Sequence, residues 1–232
     1  MTTADPPRVV AMDGPAGAGK STVARLLARR LGYFLLDTGA IYRSLALHAQ
    51  RRGVDWSDEG AVAALARELP IRFRPRPDDE GGGQAVILDG DDVSLAIRTP
   101  LISDGASRVA SQPAVREALL ELQRALARQG GCVVEGRDIG TVVLPWAPLK
   151  LFVTASPEER ARRRHLELLA KGQPSDYPAT LAEIAERDRR DQSRAIAPLR
   201  PAADAILVDT SGLTIDQVVD QLEALARLRL GA

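Results

Sequence analysis

Gly14-Pro15-Ala16-Gly17-Ala18-Gly19-Lys20-Ser21-Thr22 fits the pattern GxxxxGK[ST] in full. It follows a short apolar run, Val9-Val10-Ala11-Met12, with only Asp13 between. It then opens an apolar-periodic segment, Val23-Ala24-Arg25-Leu26-Leu27. A strand, a glycine-rich loop and a helix in that order are the context in which this pattern cradles phosphate. Gly14, Gly17 and Gly19 lack a Cβ, so the backbone can take left-handed angles and approach a polyphosphate closely. Its N–H groups then form an anion nest at the positive end of a helix. Lys20 adds a mobile positive charge near the β- and γ-phosphates, and the Ser21 hydroxyl can ligate Mg²⁺. The stretch predicts a bound nucleoside triphosphate held by residues 14–22.

Composition bounds what surrounds this loop. A chain of 232 residues fits one α/β domain with an insertion, or two small domains. Lys+Arg and Asp+Glu are equal at 31 each, so no net field draws in a nucleic acid polymer or a membrane. Only Lys20, Lys150 and Lys171 are lysines; the arginine bias reflects genome composition or suits bidentate phosphate binding. One cysteine, Cys132 in an apolar run, excludes an intrachain disulfide and reads as a buried thiol. His48 and His165 have no metal-ligand spacing and read as non-catalytic. No apolar stretch reaches membrane-spanning length, and MTTADPPR at the start lacks signal-peptide features, so a cytoplasmic location is expected.

Five short apolar runs read as buried parallel strands: Arg8–Met12, Tyr33–Leu36, Cys132–Glu135, Leu149–Val153 and Ala205–Val208. Helical patterns at Lys20–Leu31, Ala114–Arg128, Pro157–Ala170 and Ile215–Arg227 separate most of them. Alternation of this kind predicts a parallel sheet covered on both faces, the phosphate-loop strand central and the site at the strands' carboxyl ends. Residues from about Gly53 to Ile97 break the rhythm. A helix over Asp58–Leu69, strands over Ile71–Arg74 and Ala85–Leu88, a Pro-, Asp- and Gly-rich loop over Arg76–Gly83 and a tight Asp89-Gly90 turn suggest a small inserted antiparallel sheet. A second irregular stretch, Ala170–Pro178, parts two arginine-rich helices.

Absent motifs narrow the chemistry. No Asn-Lys-x-Asp tetrapeptide for reading guanine occurs, nor an apolar strand ending in paired acids. Arginines at helical spacing do occur. Arg160, Arg163 and Arg164 fall at i, i+3, i+4, which predicts one face ahead of a lid hinge. Arg187, Arg190, Asp191 and Arg194 fall at i, i+3, i+4, i+7, a predicted continuous face about 10 Å long. Phosphoryl transfer between two anions needs such cations to neutralise charge in the transition state.

Three segments now carry a resemblance. Leu36-Asp37-Thr38-Gly39-Ala40-Ile41-Tyr42-Arg43 is similar to the acceptor loop of bacterial cytidylate kinases. Glu135-Gly136-Arg137-Asp138-Ile139-Gly140-Thr141-Val142-Val143 resembles that family too, as does the run from Glu186-Arg187-Asp188 through Asp191 to Arg194-Ala195-Ile196-Ala197-Pro198-Leu199. The likeness extends from about Arg8 to Leu228. It implies an α/β, three-layer P-loop NTPase fold with a five-stranded parallel central sheet, a small antiparallel-sheet insert that binds the nucleoside monophosphate, and a lid. One kinase domain over residues 1–232 is expected, with the insert at 53–105 and the lid at 157–194. ATP and Mg²⁺ are the implied donor and metal, CMP and dCMP the implied acceptors, and CDP or dCDP the implied product.

Roles follow from the same resemblance. Lys20 and the loop amides hold the donor phosphates, and Ser21 holds Mg²⁺. Arg43 and Arg137 clamp the acceptor phosphate, with Thr38 and Tyr42 beside it. Ser107, Arg116 and Asp138 read the cytosine. Arg187 and Asp191 hold the pentose hydroxyls, with Arg194 close by. Arg160 and Arg164 close from the lid over the phosphates. Glu135 stands where several relatives carry Asp and is a candidate for water-mediated contact with Mg²⁺. Asp37 either makes such a contact or orders its loop. A kinase for another monophosphate such as UMP, and a slow nucleotide-binding switch, are the competing readings. No exposed apolar stripe is evident, so a monomer is the default.

Overall fold

A computed structural model describes residues 8–76, 84–170 and 172–231. Residues 77–83 of the loop expected over Arg76–Gly83, the N-terminal residues 1–7, Lys171 and Ala232 lie outside the described residues. In chain order the elements are β1 (Val9–Asp13), α1 (Lys20–Leu31), β2 (Phe34–Asp37), α2 (Thr38–Arg51), α3 (Glu59–Arg67), β3 (Ile71–Pro75), β4 (Gln84–Leu88) and β5 (Asp91–Asp92). There follow α4 (Pro100–Val109), α5 (Pro113–Ala127), β6 (Cys132–Glu135), β7 (Leu149–Thr154), α6 (Pro157–Ala170), α7 (Tyr177–Gln192), β8 (Ile206–Asp209) and α8 (Ile215–Leu230). Among the described residues no helix is long and apolar enough to cross a membrane.

The strands form two sheets. The larger has the order β2-β6-β1-β7-β8, with β1 parallel to β6 and β7, and β7 parallel to β8. β1 is the central strand, as its sequence predicts: all five residues are buried, which suits a strand covered on both faces. The smaller sheet is antiparallel in the order β3-β4-β5. All five expected core strands and both insert strands are present, each within one residue of its expected ends.

The chain divides into two compact units, Met1–Phe34 with Gly130–Ala232, and Leu35–Gln129. In the first, α1 starts at Gly19 and stops at Gly32, both left-handed. The Gly32 N–H bonds back to Ala28 and Arg29, which ends the helix in the usual glycine fashion. Its inward stripe is Val23, Ala24, Leu27 and Ala28. At the far end of this unit, Thr214 and Gln217 form a reciprocal capping box that starts α8. Cys132 is buried in β6, and burial pushes its thiol up to about 12, so it is an inert core group.

In the second unit the main departure from expectation is α2. The segment expected as an acceptor loop is the end of β2 followed by the first six residues of a fourteen-residue helix. Asp37 caps it by accepting from the Ala40 N–H at 3.0 Å, and no proline interrupts the run to Arg51. Ten of its residues are buried, so it is a core helix of this unit. The helix α4 is also absent from the sequence reading; Thr99 caps it and Pro100 begins it. Trp56 locks α2 to α4. Its indole N–H donates to the Ala46 carbonyl at 2.9 Å, and its ring lies so close to Gly105 that an added Cβ there would meet it at 2.6 Å. The expected Asp89-Gly90 turn is present, with φ 54° and 91°, between the paired residues Leu88 and Asp91.

Gly14 has φ +144°, and a Cβ added to it would stand 1.9 Å from the Val153 carbonyl oxygen, which is backbone of β7 and has nowhere to go. Gly14→Ala is therefore expected to lower the unfolding free energy by on the order of 3 kcal/mol. Urea unfolding of the variant beside the wild type checks this.

Candidate functional site

The first unit gathers residues from four separated stretches at the carboxyl ends of β1 and β6. Lys20, the first residue of α1, is 5 % exposed, and its ammonium donates to the Pro15 carbonyl at 2.6 Å. That bond bends the lysine back over its own loop. Burial pushes the Lys20 ammonium well below the usual lysine range, and the Arg137 guanidinium adds to this. Glu135 and Asp13 oppose the fall, while Arg187 deepens it. Gly17 and Gly19, both with positive φ, and Ser21 are exposed, so the rim of the loop faces solvent.

Asp191 organises the arginines. Its carboxylate is 2 % exposed; Oδ2 accepts from Arg137 Nε at 3.1 Å and Oδ1 from an Arg194 terminal nitrogen at 2.5 Å. Burial alone would raise this carboxyl, but Arg137, Arg194 and Arg187 outweigh burial and hold it below the usual range. The Arg137 guanidinium also donates to the Gly136 carbonyl at 3.0 Å and keeps 23 % of its side-chain surface exposed. The predicted helical face from Arg187 to Arg194 is only partly helical. α7 ends at Gln192, and Arg194 reaches Asp191 from beyond the helix end, where the Leu199 N–H also bonds the Asp191 carbonyl. Arg190 points elsewhere, pairing with Glu186 at 3.7 Å while 41 % exposed.

The other arginine group differs more from expectation. Arg160, Arg163 and Arg164 do not present one common face to a ligand. Arg160 is buried, and its fork donates to the carbonyls of Ala155 and Ala16 at 2.9 and 3.0 Å. It also pairs with both carboxylate oxygens of Asp188 on α7, at 3.1 and 2.6 Å. It braces the phosphate loop against two helices, and a Cβ on Gly17 would touch its Cβ at 3.3 Å. Arg163 is taken up by Glu159 and by the hydroxyl and carbonyl of Thr210. Arg164 pairs with Glu167 on the exposed side of α6. The i, i+3, i+4 rule places side chains on adjacent rows of a helix, but it does not say which row faces the core.

β6 delivers Glu135, buried at its end, and then Arg137 and Asp138. A single π turn follows over Ile139–Val143. Asp13, which the motif reading passes over, bonds the N–H groups of Ile139 and Gly140 at 2.7 and 2.8 Å. Burial raises its carboxyl to about 6 against these two bonds, with Asp138 adding to the rise and Lys20 opposing it. An acid closing a wholly apolar strand, one residue before the glycine loop, was the sequence signal for it.

The second unit holds the remaining expected residues. Arg43 donates to Asp37 Oδ2 at 2.7 Å. Burial would raise the Asp37 carboxyl; Arg43, the Ala40 N–H and Arg98 together hold it below the usual range. Of the two roles expected for Asp37, ordering its segment is the one its contacts perform. The Nε atom of Arg43 is buried without a hydrogen-bond partner among the described residues. Arg116, buried on α5, donates to the Ala110 carbonyl at 3.2 Å and lies over the Tyr42 ring, 5.8 Å from its centre. Thr38 is buried at the start of α2, and Ser107 is half-buried on α4. Among the described residues there is no cluster of three His, Cys, Asp or Glu side chains able to hold a metal on their own.

Comparisons with known proteins bear on this geometry. A family model described as cytidylate kinase matches residues 10–228. A cytidylate kinase of Pseudomonas paraeruginosa is 55 % identical over 214 residues, 92 % of this chain and 93 % of that one. One of Pseudomonas savastanoi is 52 % identical over 221 residues, 95 % of this chain and 96 % of that protein. Among solved structures, an uncharacterized protein from Eubacterium ventriosum superposes with a TM-score of 0.51 at 13 % identity, covering 95 % of this chain and 98 % of that one.

Two outcomes are expected. Arg160→Lys replaces a fork serving four acceptor atoms by one ammonium, so stability should fall by about 3 kcal/mol, read by thermal or urea unfolding. Asp37 and Asp191 have folded values below their ordinary 3.8, so their contribution is present above that value and is lost as the pH falls through the folded one. Asp13 has the opposite sign: its contribution is full below 3.8 and lost as the pH rises through about 6. The stability gap between wild type and Asp191→Asn, about 3 kcal/mol near neutrality, should therefore shrink below about pH 4 in urea melts run across that range.

Proposed function

This chain belongs to the cytidylate kinase family, and from that premise we propose that it moves the γ-phosphoryl group of ATP to CMP or dCMP, giving CDP or dCDP and ADP. The observation that carries the reading is a buried lysine folded over a phosphate-binding loop, with Arg137 and Arg187 in electrostatic reach of it and Arg137 and Arg194 held on one buried carboxylate, Asp191. Cations from three distant stretches are brought together only at a cost, and two facing phosphates repay it.

The roles are these. The loop amides of residues 14–22 and the Lys20 ammonium grip the donor phosphates. Arg137 and Arg43 bind the acceptor phosphate through forked donors, and the Nε of Arg43, without a partner among the described residues, suits an anion. Thr38 and Tyr42 line the acceptor. Ser107, Arg116 and Asp138 read the base: cytosine offers an N4 amino donor beside N3 and O2 acceptors. The Asp138 carboxylate accepts from N4, where uracil would present a carbonyl oxygen. Arg187 holds the pentose, and Asp191 both meets it and aims Arg137 and Arg194. No side chain must act as a strong base, because the acceptor is already an anion; positioning and charge neutralisation supply the rate.

The Ser21 hydroxyl and the Glu135 carboxylate are hard oxygen donors that fit Mg²⁺, with the balance of its ligands coming from water and phosphate oxygens. When bound, Mg²⁺ neutralises charge on the donor phosphates. Within one kinase domain over residues 1–232 we assign 53–105 as the acceptor-binding insert and 157–194 as the lid. The working form is a monomer in the cytoplasm, serving pyrimidine nucleotide metabolism.

A coupled assay of ADP formation tests the reading with ATP, Mg²⁺ and CMP, dCMP, UMP, AMP or GMP. Fast turnover is expected with CMP and dCMP and weak turnover with UMP; equal efficiency with UMP would remove Asp138 as the base reader. Lys20→Ala and Arg137→Ala should each lower kcat on the order of 10²- to 10³-fold at saturating CMP while still unfolding cooperatively.

A further inference from the structure

Asp13 has no part in the roles above, yet it is placed to control two of them. Its carboxylate is 3 % exposed at the end of β1. Oδ1 accepts from the Ile139 N–H at 2.7 Å and Oδ2 from the Gly140 N–H at 2.8 Å, so both oxygens are spent on the two residues after Arg137-Asp138. One residue earlier, the Met12 carbonyl accepts from the Gly136 N–H at 3.0 Å. The bracketed segment is not regular structure. Asp138 has φ −144° and ψ 26°, outside the helix and strand wells, and a π turn begins behind it with Leu144 N–H on the Ile139 carbonyl at 2.7 Å. A conformation of that kind needs external donors or acceptors to hold it. Lys150 closes the other side: a Cβ on Gly140 would meet Lys150 Cδ at 3.1 Å and Asp13 Oδ2 at 3.4 Å. The Lys150 stem is itself fixed, because its ammonium bonds both oxygens of Asp204 at 2.9 and 2.8 Å.

We propose that Asp13 is a positioning residue for acceptor recognition: its two backbone bonds set where Arg137 and Asp138 stand, although in sequence it adjoins the donor loop. The inference rests on the kinase reading above. An ionised carboxylate can serve two N–H donors at once and does so strongly. The isosteric amide cannot. Asparagine brings one acceptor oxygen, and its NH₂ would face the second N–H, donor against donor.

The test uses the full-length protein and measures dissociation constants for CMP alone and ATP alone by calorimetry, together with kcat and KM for each. For Asp13→Asn the expected result is a rise of about tenfold in the CMP dissociation constant and KM, with a clearly smaller change in ATP binding, which the lost charge reaches only through Lys20. A merely structural role would weaken both ligands alike, and that outcome, or an unchanged CMP affinity, overturns the proposal. If Asp13→Asn does not fold, Gly140→Ala disturbs the same contact from the opposite side and should show the same CMP-selective loss; unchanged CMP binding in that variant overturns the proposal as well. Wild type separates the two layers. Wild type without CMP binding or turnover overturns the kinase reading and this inference with it. Wild type that phosphorylates CMP beside variants with an unselective loss overturns this inference alone.

Discussion

Lys20 is buried at the root of its loop with Arg137 and Arg187 near enough to disfavour its charge, and the carboxylates around it offset that repulsion. Like charges at close range are expensive where water is scarce. The protein answers with carboxylates aimed at them. Asp191, nearly without solvent contact, takes Arg137 on one oxygen and Arg194 on the other. Glu135 and Asp13 act on Lys20 from β6 and β1. The balance is incomplete: the Lys20 ammonium stays well below the usual lysine range.

Bearing such charges also requires that they cannot drift. Several charged side chains in the first unit are held by bonds to the main chain. Arg160 shows the device most plainly. It bonds a carbonyl of the phosphate loop, a carbonyl before α6 and the Asp188 carboxylate of α7, so the loop and the helix that carries Arg187 and Asp191 share one brace. The second unit uses apolar wedging where the first uses charge. Trp56 fills the space that Gly105 leaves open, and the Arg116 guanidinium rests on the Tyr42 ring. In both units the glycines matter where another residue's backbone or ring already occupies the Cβ position.

Much of the fold is legible in the residues because its signals are local. The apolar runs of β1, β6 and β7 are continuous, as strands buried on both faces must be, and α1 is bounded by glycines at both ends. The helix α2 is less legible: its first residues carry a motif that draws attention to chemistry, and its capping aspartate reads equally well as a metal contact. The arginines are least legible. Arg160, Arg163 and Arg164 have the same residue type and helical spacing, yet one is a buried brace, one is tied to Thr210 and one faces solvent. Spacing along a helix is a local property, whereas orientation toward the core depends on what packs against that helix.

The sequence by itself determined the phosphate loop, the alternation of strands and helices, the small inserted sheet and the family. All of these follow from short-range rules: backbone freedom at glycine, hydrophobic period, turn chemistry and motif. Only the tertiary structure decided which charges meet. That Asp191 would join Arg137 across 54 residues, that Asp13 would reach Ile139 and Gly140 across more than a hundred, and that Arg160 would turn inward could not be read from neighbours in the chain. A buried charge takes whichever partner the packing brings within reach, and long-range pairing of that kind is a property of the folded arrangement rather than of any segment.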